Sequence, residues 1–193
     1  MRLIITRHGE TEENKAGILQ GQLPGVLSGL GKKQAEKLGE RLSNEKIDLI
    51  ISSDLARAHD TAKIIGKFHP DVEIIPEKKL REKFLGSLQG KTKESLGFSK
   101  EELIADIIEG RDTEDTDAFF TRAGAFVEEV LKRPEENILL VGHNGICKAV
   151  LGNLLKIKNL QEIVGLKNTS VNIFEEENGE IKIKLLNDVE HLK

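Results

Sequence analysis

Four short apolar runs punctuate this chain, and helical-period segments separate them. Leu3-Ile4-Ile5-Thr6 predicts a buried strand, and so do Ile47–Ser52 (IDLIIS), Val72–Ile75 closed by Pro76, and Asn137–Val141 (NILLV). Between them apolar residues recur every three to four positions. Ser28 is placed to cap a helix carrying Leu30, Ala35, Leu38 and Leu42 inward. Asp54 is placed to cap the next, with Ala58, Ala62 and Ile65 on one face. A third helix, Asp117–Lys132, turns Phe120, Ala123, Val127 and Val130 inward and stops before Pro134; Gly145–Leu155 makes a fourth. Val171–Phe174 and Glu180–Leu186 alternate apolar with polar residues and read as edge or antiparallel strands, joined by a turn at Asn178-Gly179. Strands alternating with helices predict an α/β fold, a three-layer α/β/α sandwich around a mixed, mostly parallel sheet. Residues from about Glu77 to Thr116 break the alternation. They are charge-rich, with a helical stretch at Leu103–Ile108, and read as a small capping insertion.

Composition narrows the function. At 193 residues the chain suits one domain and buries a core without disulfides. Its 29 Lys and Arg against 33 Asp and Glu leave a net charge of −4, a poor balance for nucleic acid. There is no Trp or Tyr to stack on bases. No apolar run approaches the ~20 residues of a membrane span, and Leu3–Thr6 is too short for a signal-peptide core. The single cysteine, Cys147, excludes a disulfide framework, fits a reducing cytosol and reads as a small core residue.

Chemistry gathers where strands end. Ligands of open parallel sheets bind outside the carboxyl ends of the strands. There the chain carries Arg7-His8-Gly9-Glu10-Thr11, Ser52-Ser53-Asp54-Leu55-Ala56-Arg57 and Gly142-His143-Asn144-Gly145. One histidine at a strand end is ordinarily a hydrogen-bonding group, and one arginine an ion pair. Two of each converging at one rim, where helices begin, describe a phosphate site. A neutral histidine there can attack phosphorus, and the arginines can stabilise the equatorial oxygens without a metal or other cofactor. His59, His69 and His191 read as structural or tail residues. Gly86–Thr92 resembles a P-loop but has one residue too few between its glycines and follows no strand. Asn168-Thr169-Ser170 fits a glycosylation acceptor, without a secretory signal to make it relevant.

Thr6-Arg7-His8-Gly9-Glu10-Thr11 with Asn14 resembles the signature of the histidine phosphatase superfamily, in its phosphoglycerate mutase-like branch. The likeness continues through Leu27-Ser28, Gly31, Gln34-Ala35, the Ser52–Ala62 segment, Leu80-Arg81-Glu82 with Gly86 and Gly90, and Val141–Gly145. It implies a single domain over 1–193 with a cap-like insertion at about 77–116. It implies that His8 is the nucleophile that becomes phosphorylated. Arg7, Arg57 and His143 then clamp the phosphoryl group, Asn14 lies in the phosphate pocket, and Glu82 donates the proton to the leaving alcohol. Gln20, Gly21, Lys93 and Asn144 join the substrate-binding set on the same resemblance.

The expected activity is hydrolysis of a small phosphorylated metabolite, of sugar phosphate or glycerate type, through phosphohistidine. Gly86–Gly90 followed by Lys93 is similar to mutases, whereas Gly17–Gln22 and Arg81–Gly86 are similar to sugar-bisphosphatase-like members. Mutases usually carry paired arginines in the insertion. Here, apart from Arg81 of the Leu80-Arg81-Glu82 segment, it offers only Arg111 and no adjacent Arg pair, which favours a phosphatase. A bisphosphoglycerate-primed phosphoglycerate mutase is the alternative enzyme. A non-catalytic phosphate-binding module is the alternative of another class, and a metallohydrolase built on His8 and His143 lacks clustered carboxylate ligands. The expected partner is the small substrate, with neither nucleic acid nor membrane, and a homodimer is left open.

Overall fold

The computed structural model describes residues 1–98 and 111–193, so the expected helix at Leu103–Ile108 lies outside the described residues. Six strands form one sheet: β1 (Arg2–Arg7), β2 (Leu49–Ser53), β3 (Ile74–Glu77), β4 (Asn137–Gly142), β5 (Val171–Glu177) and β6 (Glu180–Asp188), in the order β3-β2-β4-β1-β5-β6. The first three pairings across that order are parallel and the last two antiparallel. Among the described residues the helices are α1 (Glu12–Lys15), α2 (Gly29–Leu42), α3 (Ala56–Gly66), α4 (Thr116–Val130) and α5 (Asn144–Leu155).

The period of two along a strand sends alternate residues to opposite faces. In β1, Ile4 joins Leu38, Ala58, Ala62 and Ile65 of α2 and α3. Its neighbours Leu3 and Ile5 join Phe119, Phe126, Ala149 and Val150 of α4 and α5 on the other face. Both faces of the central strands are therefore covered, which is why they read as unbroken apolar runs.

Several details depart from the sequence reading. The strand expected from Ile47 begins at Leu49, and the one expected from Val72 begins at Ile74. Pro76 does not close β3 but lies within it, paired with Ser52. A proline is tolerated there because β3 is the sheet edge, where a missing N–H breaks no ladder. Leu30 is exposed and Gly31 buried, since the inward line of α2 runs Gly31, Ala35, Leu38, Leu42. In α4, Phe119 is buried and Phe120 only partly, a shift of one position around the helix. Asp54 does not cap α3. Leu55 occupies that position without a side-chain bond, because both Asp54 carboxylate oxygens accept from Arg81, at 2.7 and 2.5 Å.

The first turn of α2 sits against the loop after β1. Ser28 caps the helix through the Gly31 amide at 3.0 Å and donates to Glu10 at 2.7 Å. A Cβ at Gly31 would run into the Glu10 carbonyl oxygen, and one at Gly9 into the Gly31 carbonyl. Neither neighbour is a flexible side chain, so the backbone itself would have to move. Gly31→Ala should therefore cost roughly 1–3 kcal/mol of stability, as overpacking does. Urea unfolding checks this; an unchanged midpoint would mean that the two segments separate freely.

Candidate active site

The carboxyl ends of β1, β2 and β4 bring Arg7, His8, Arg57 and His143 together, as the sequence pattern requires. The parallel register that sets Arg7 beside Gly142 aligns the two histidine-bearing turns. The His8 and His143 rings lie 5.1 Å apart, edge to face, and both are buried.

Hydrogen bonding sets the tautomer of His8. Its Nδ1 lies 2.7 Å from the Gly9 carbonyl, which can only accept, so Nδ1 carries the proton. Nε2 is then left with a lone pair, and the Arg57 Nε–H points at it from 3.3 Å. Burial, then the charges of Arg7 and Arg57, hold His8 well below the ordinary histidine value. Burial, then Arg57, His8 and Arg7, depress His143 likewise. Nε2 of His143 is 2.9 Å from Ser53 Oγ, and its buried Nδ1 has no partner among the described residues.

Backbone carbonyls hold the two arginines. Arg57 donates to Gly21 at 2.8 Å, to Pro24 at 3.3 Å, and to Leu23. Arg7 donates to Leu166 at 3.0 Å. Burial lowers Arg57 to about 10, which leaves it protonated at neutral pH, and lowers Arg7 too. Thr61 ties α3 to the turn after β1 by donating to the Arg57 carbonyl at 2.7 Å and accepting from the Gly9 amide at 3.1 Å. Asn168 donates to the His8 carbonyl at 2.8 Å.

A cavity of about 470 Å³ opens from this cluster, and Glu82 lies on its wall. The Glu82 carboxylate accepts from the Gly145 amide, in the first turn of α5, and from the Lys83 amide, both at 2.9 Å. A side chain at Gly145 would collide with this carboxylate, so the second glycine of Gly-His-Asn-Gly makes room for Glu82. Arg122 of α4 grips the segment from behind. It donates to the Lys79 and Arg81 carbonyls at 2.7 and 2.9 Å and pairs with both carboxylate oxygens of Glu114 at 2.9 Å.

Asn14, Gln20, Gly21 and Asn144 also line the cavity. Gln20 donates to Thr11 at 2.9 Å, and its buried Oε1 has no partner among the described residues. Asn14 closes a capping box with Thr11, and Asn144 accepts from the Leu166 amide at 2.8 Å. Lys93 differs from the expectation: it stands at the head of the short turn Glu94–Leu96 and is not among the residues lining the cavity. Sequence reasoning missed Ser53, Thr61, Asn168, Phe119, Arg122 and Lys148. Ser53 and Thr61 stood inside a recognised segment, but nothing in it tells which hydroxyl meets the His143 ring and which ties α3 to the turn after β1. Cys147 is buried and its thiol pushed up by burial, in keeping with a core role. His59 bonds Ser52 at 2.9 Å, outside the cavity.

A buried imidazole whose Nε2 lone pair faces Arg57, with the Arg7 guanidinium also in the pocket, is an arrangement suited to a phosphoryl group. A family model described as "Histidine phosphatase superfamily (branch 1)" matches residues 3–189, and the chain belongs to that family. "Metal-independent phosphoserine phosphatase" from Arabidopsis thaliana is 34% identical over 98% of this chain and 82% of its own length. "Phosphoglycerate mutase-like protein 4" from the same plant is 32% identical over 99% and 86%. Among solved structures, Bacillus stearothermophilus YhfR superposes with a TM-score of 0.88 at 27% identity, covering 100% of this chain and 99% of that one.

The buried histidines make stability depend on pH. Unfolded, each titrates near ~6.5; folded, His8 and His143 resist protonation well below that. Their contribution is complete above the unfolded value and is lost progressively as pH falls from there down through the folded one. His59, His69 and His191, lowered by burial first, act in the same direction. The melting temperature should fall between pH 7 and pH 5, and His143→Gln should flatten part of that slope. Equal slopes in the two proteins would mean that His143 takes up its proton without unfolding.

Proposed function

We propose that this protein is a phosphomonoester hydrolase that works through a phosphohistidine at His8. The observation that carries the reading is the Nε2 lone pair of His8, held neutral in a buried pocket between Arg7 and Arg57. Nε2 attacks phosphorus while the bond to the alcohol oxygen breaks. Arg7, Arg57 and His143 take the charge of the equatorial oxygens. Glu82 passes a proton to the leaving oxygen. Water then attacks the phosphohistidine, Glu82 takes the water's proton, the P–N bond breaks, and orthophosphate leaves with His8 neutral again.

The substrate is a small phosphorylated metabolite, a reading supported by the names of the two plant relatives. Hydrolysis is favoured over a mutase reaction because Arg111 stacks on Phe98, with its guanidinium carbon 5.6 Å from the ring centre, and does not line the cavity. Incubation with 3-phosphoglycerate and a trace of bisphosphoglycerate separates the two. Orthophosphate is expected; 2-phosphoglycerate would make the enzyme a mutase.

His8→Ala should lower turnover by roughly 10³-fold or more, as loss of a nucleophile does. Rapid quenching without acid should trap labelled phosphate on His8 of the wild-type protein. Label on another residue, or full activity in the variant, would overturn the mechanism.

Leaving groups test Glu82. Glu82→Gln should slow alkyl phosphates strongly in the formation of phosphohistidine. It should spare p-nitrophenyl phosphate, whose phenolate departs with little proton assistance. Equal losses on both esters in that step would remove Glu82 from the acid role.

A further inference from the structure

Charge in the cavity exceeds what one phosphate needs. Among the described residues its wall carries five cationic side chains, Arg7, Arg57, Lys83, Lys148 and Lys158, and one carboxylate, Glu82. A phosphomonoester dianion balances only about two of those charges at neutral pH. The excess lies away from the phosphate seat. Arg57, His8 and His143 are buried, Lys83 and Lys148 are half-buried, and Lys158 is exposed, so positive charge continues outward along the cavity.

Lys148 differs from Arg7, Arg57 and Lys83. Arg7 and Arg57 donate to carbonyls, and Lys83 donates to Thr116 at 2.7 Å. Lys148 makes no hydrogen bond or ion pair among the described residues, and the shift of its ammonium below the ordinary lysine value comes from burial alone. It lies on α5 four residues after Asn144, so both face the same way, about 6 Å apart along the axis. Phe119 and Leu160 line the same cavity. A half-buried cation beside apolar wall, with no anion to meet it, is placed to receive one from a ligand.

We propose that Lys148 reads a second anionic group on the alcohol portion of the substrate, a carboxylate or a second phosphate a short carbon chain away from the reacting phosphorus. This rests on the phosphatase reading above and deepens it. Lys148 takes no part in the phosphoryl transfer; it selects which alcohol is attached.

Three esters that differ only at the far end provide the test: propyl phosphate, 3-(phosphonooxy)propanoate and propane-1,3-diol bisphosphate. The wild-type protein should prefer an anionic ester over propyl phosphate in kcat/KM by about tenfold or more, the scale of one charge-assisted hydrogen bond. The change should lie mainly in KM. Lys148→Met, which keeps the apolar stem, should bring that ratio close to one, and Lys148→Arg should retain most of it. Preference for the carboxylate over the bisphosphate identifies the first kind of anion, and the reverse identifies the second. Calorimetric binding of the same esters to the His8→Ala protein, with and without Lys148→Met, gives the ratio independently of turnover. A wild-type ratio near one, or a ratio that survives in Lys148→Met in both measurements, overturns the assignment. Failure of the phosphatase reading looks different: no ester releases orthophosphate, whatever the binding ratio shows.

Discussion

Everything at the site follows from how two guanidiniums are anchored. Arg57 is held by the carbonyls of Gly21, Leu23 and Pro24, and Arg7 by the carbonyl of Leu166. Carbonyl dipoles orient a cation without neutralising it, whereas a carboxylate partner would have spent its charge. The positive field therefore remains in the pocket and, after burial, holds His8 and His143 well below the ordinary histidine value. A neutral nucleophile and a charged clamp must share one pocket. Burial makes them compatible, because the imidazole sheds its proton more readily than a guanidinium does.

That anchoring places demands on loops far apart in sequence. The loop after α1 must present carbonyls inward, and it turns at Gly21 with φ +50 to do so. The segment around Leu166 must approach both Arg7 and Asn144, and it accepts from one while donating to the other. Thr61 and Asn168 then hold the turn after β1 against α3 and the later loop. The sheet supplies the rim; these polar contacts set the angles at which side chains leave it.

Glu82 depends on a separate device. Its segment is not a regular element and would not hold a carboxylate in place alone. Arg81 fastens it to Asp54 at the start of α3, and Arg122 fastens it to α4 through two carbonyls and Glu114. Gly145 receives the carboxylate at the first turn of α5. The Glu82 carboxylate is thus positioned against three helices, while its peptide neighbours remain outside the repeating pattern of the fold.

Strand existence, the two-sided burial of the sheet and the gathering of Arg7, His8, Arg57 and His143 were legible because they depend on local period and on one general rule about strand ends. Element ends were less so. Pro76 entered β3 because the strand is an edge, and Asp54 left its capping position because Arg81 offered a fork for both oxygens. Neither is visible without knowing what lies alongside. Glu82 was reached only through family likeness, since a charged segment gives no local reason to prefer one carboxylate. Lys93 carried the same likeness, but the turn at Glu94–Leu96 leaves it off the cavity wall. Ser53 and Thr61 stood in a recognised segment without a sign of their contacts, and Asn168, Arg122 and Lys148 carry no local signature for theirs. What the chain alone determined was which residues could do the chemistry, because residue type and period are local properties. Which of them touch, which charges stay uncompensated and which face the cavity were decided by tertiary contacts between segments up to 160 residues apart.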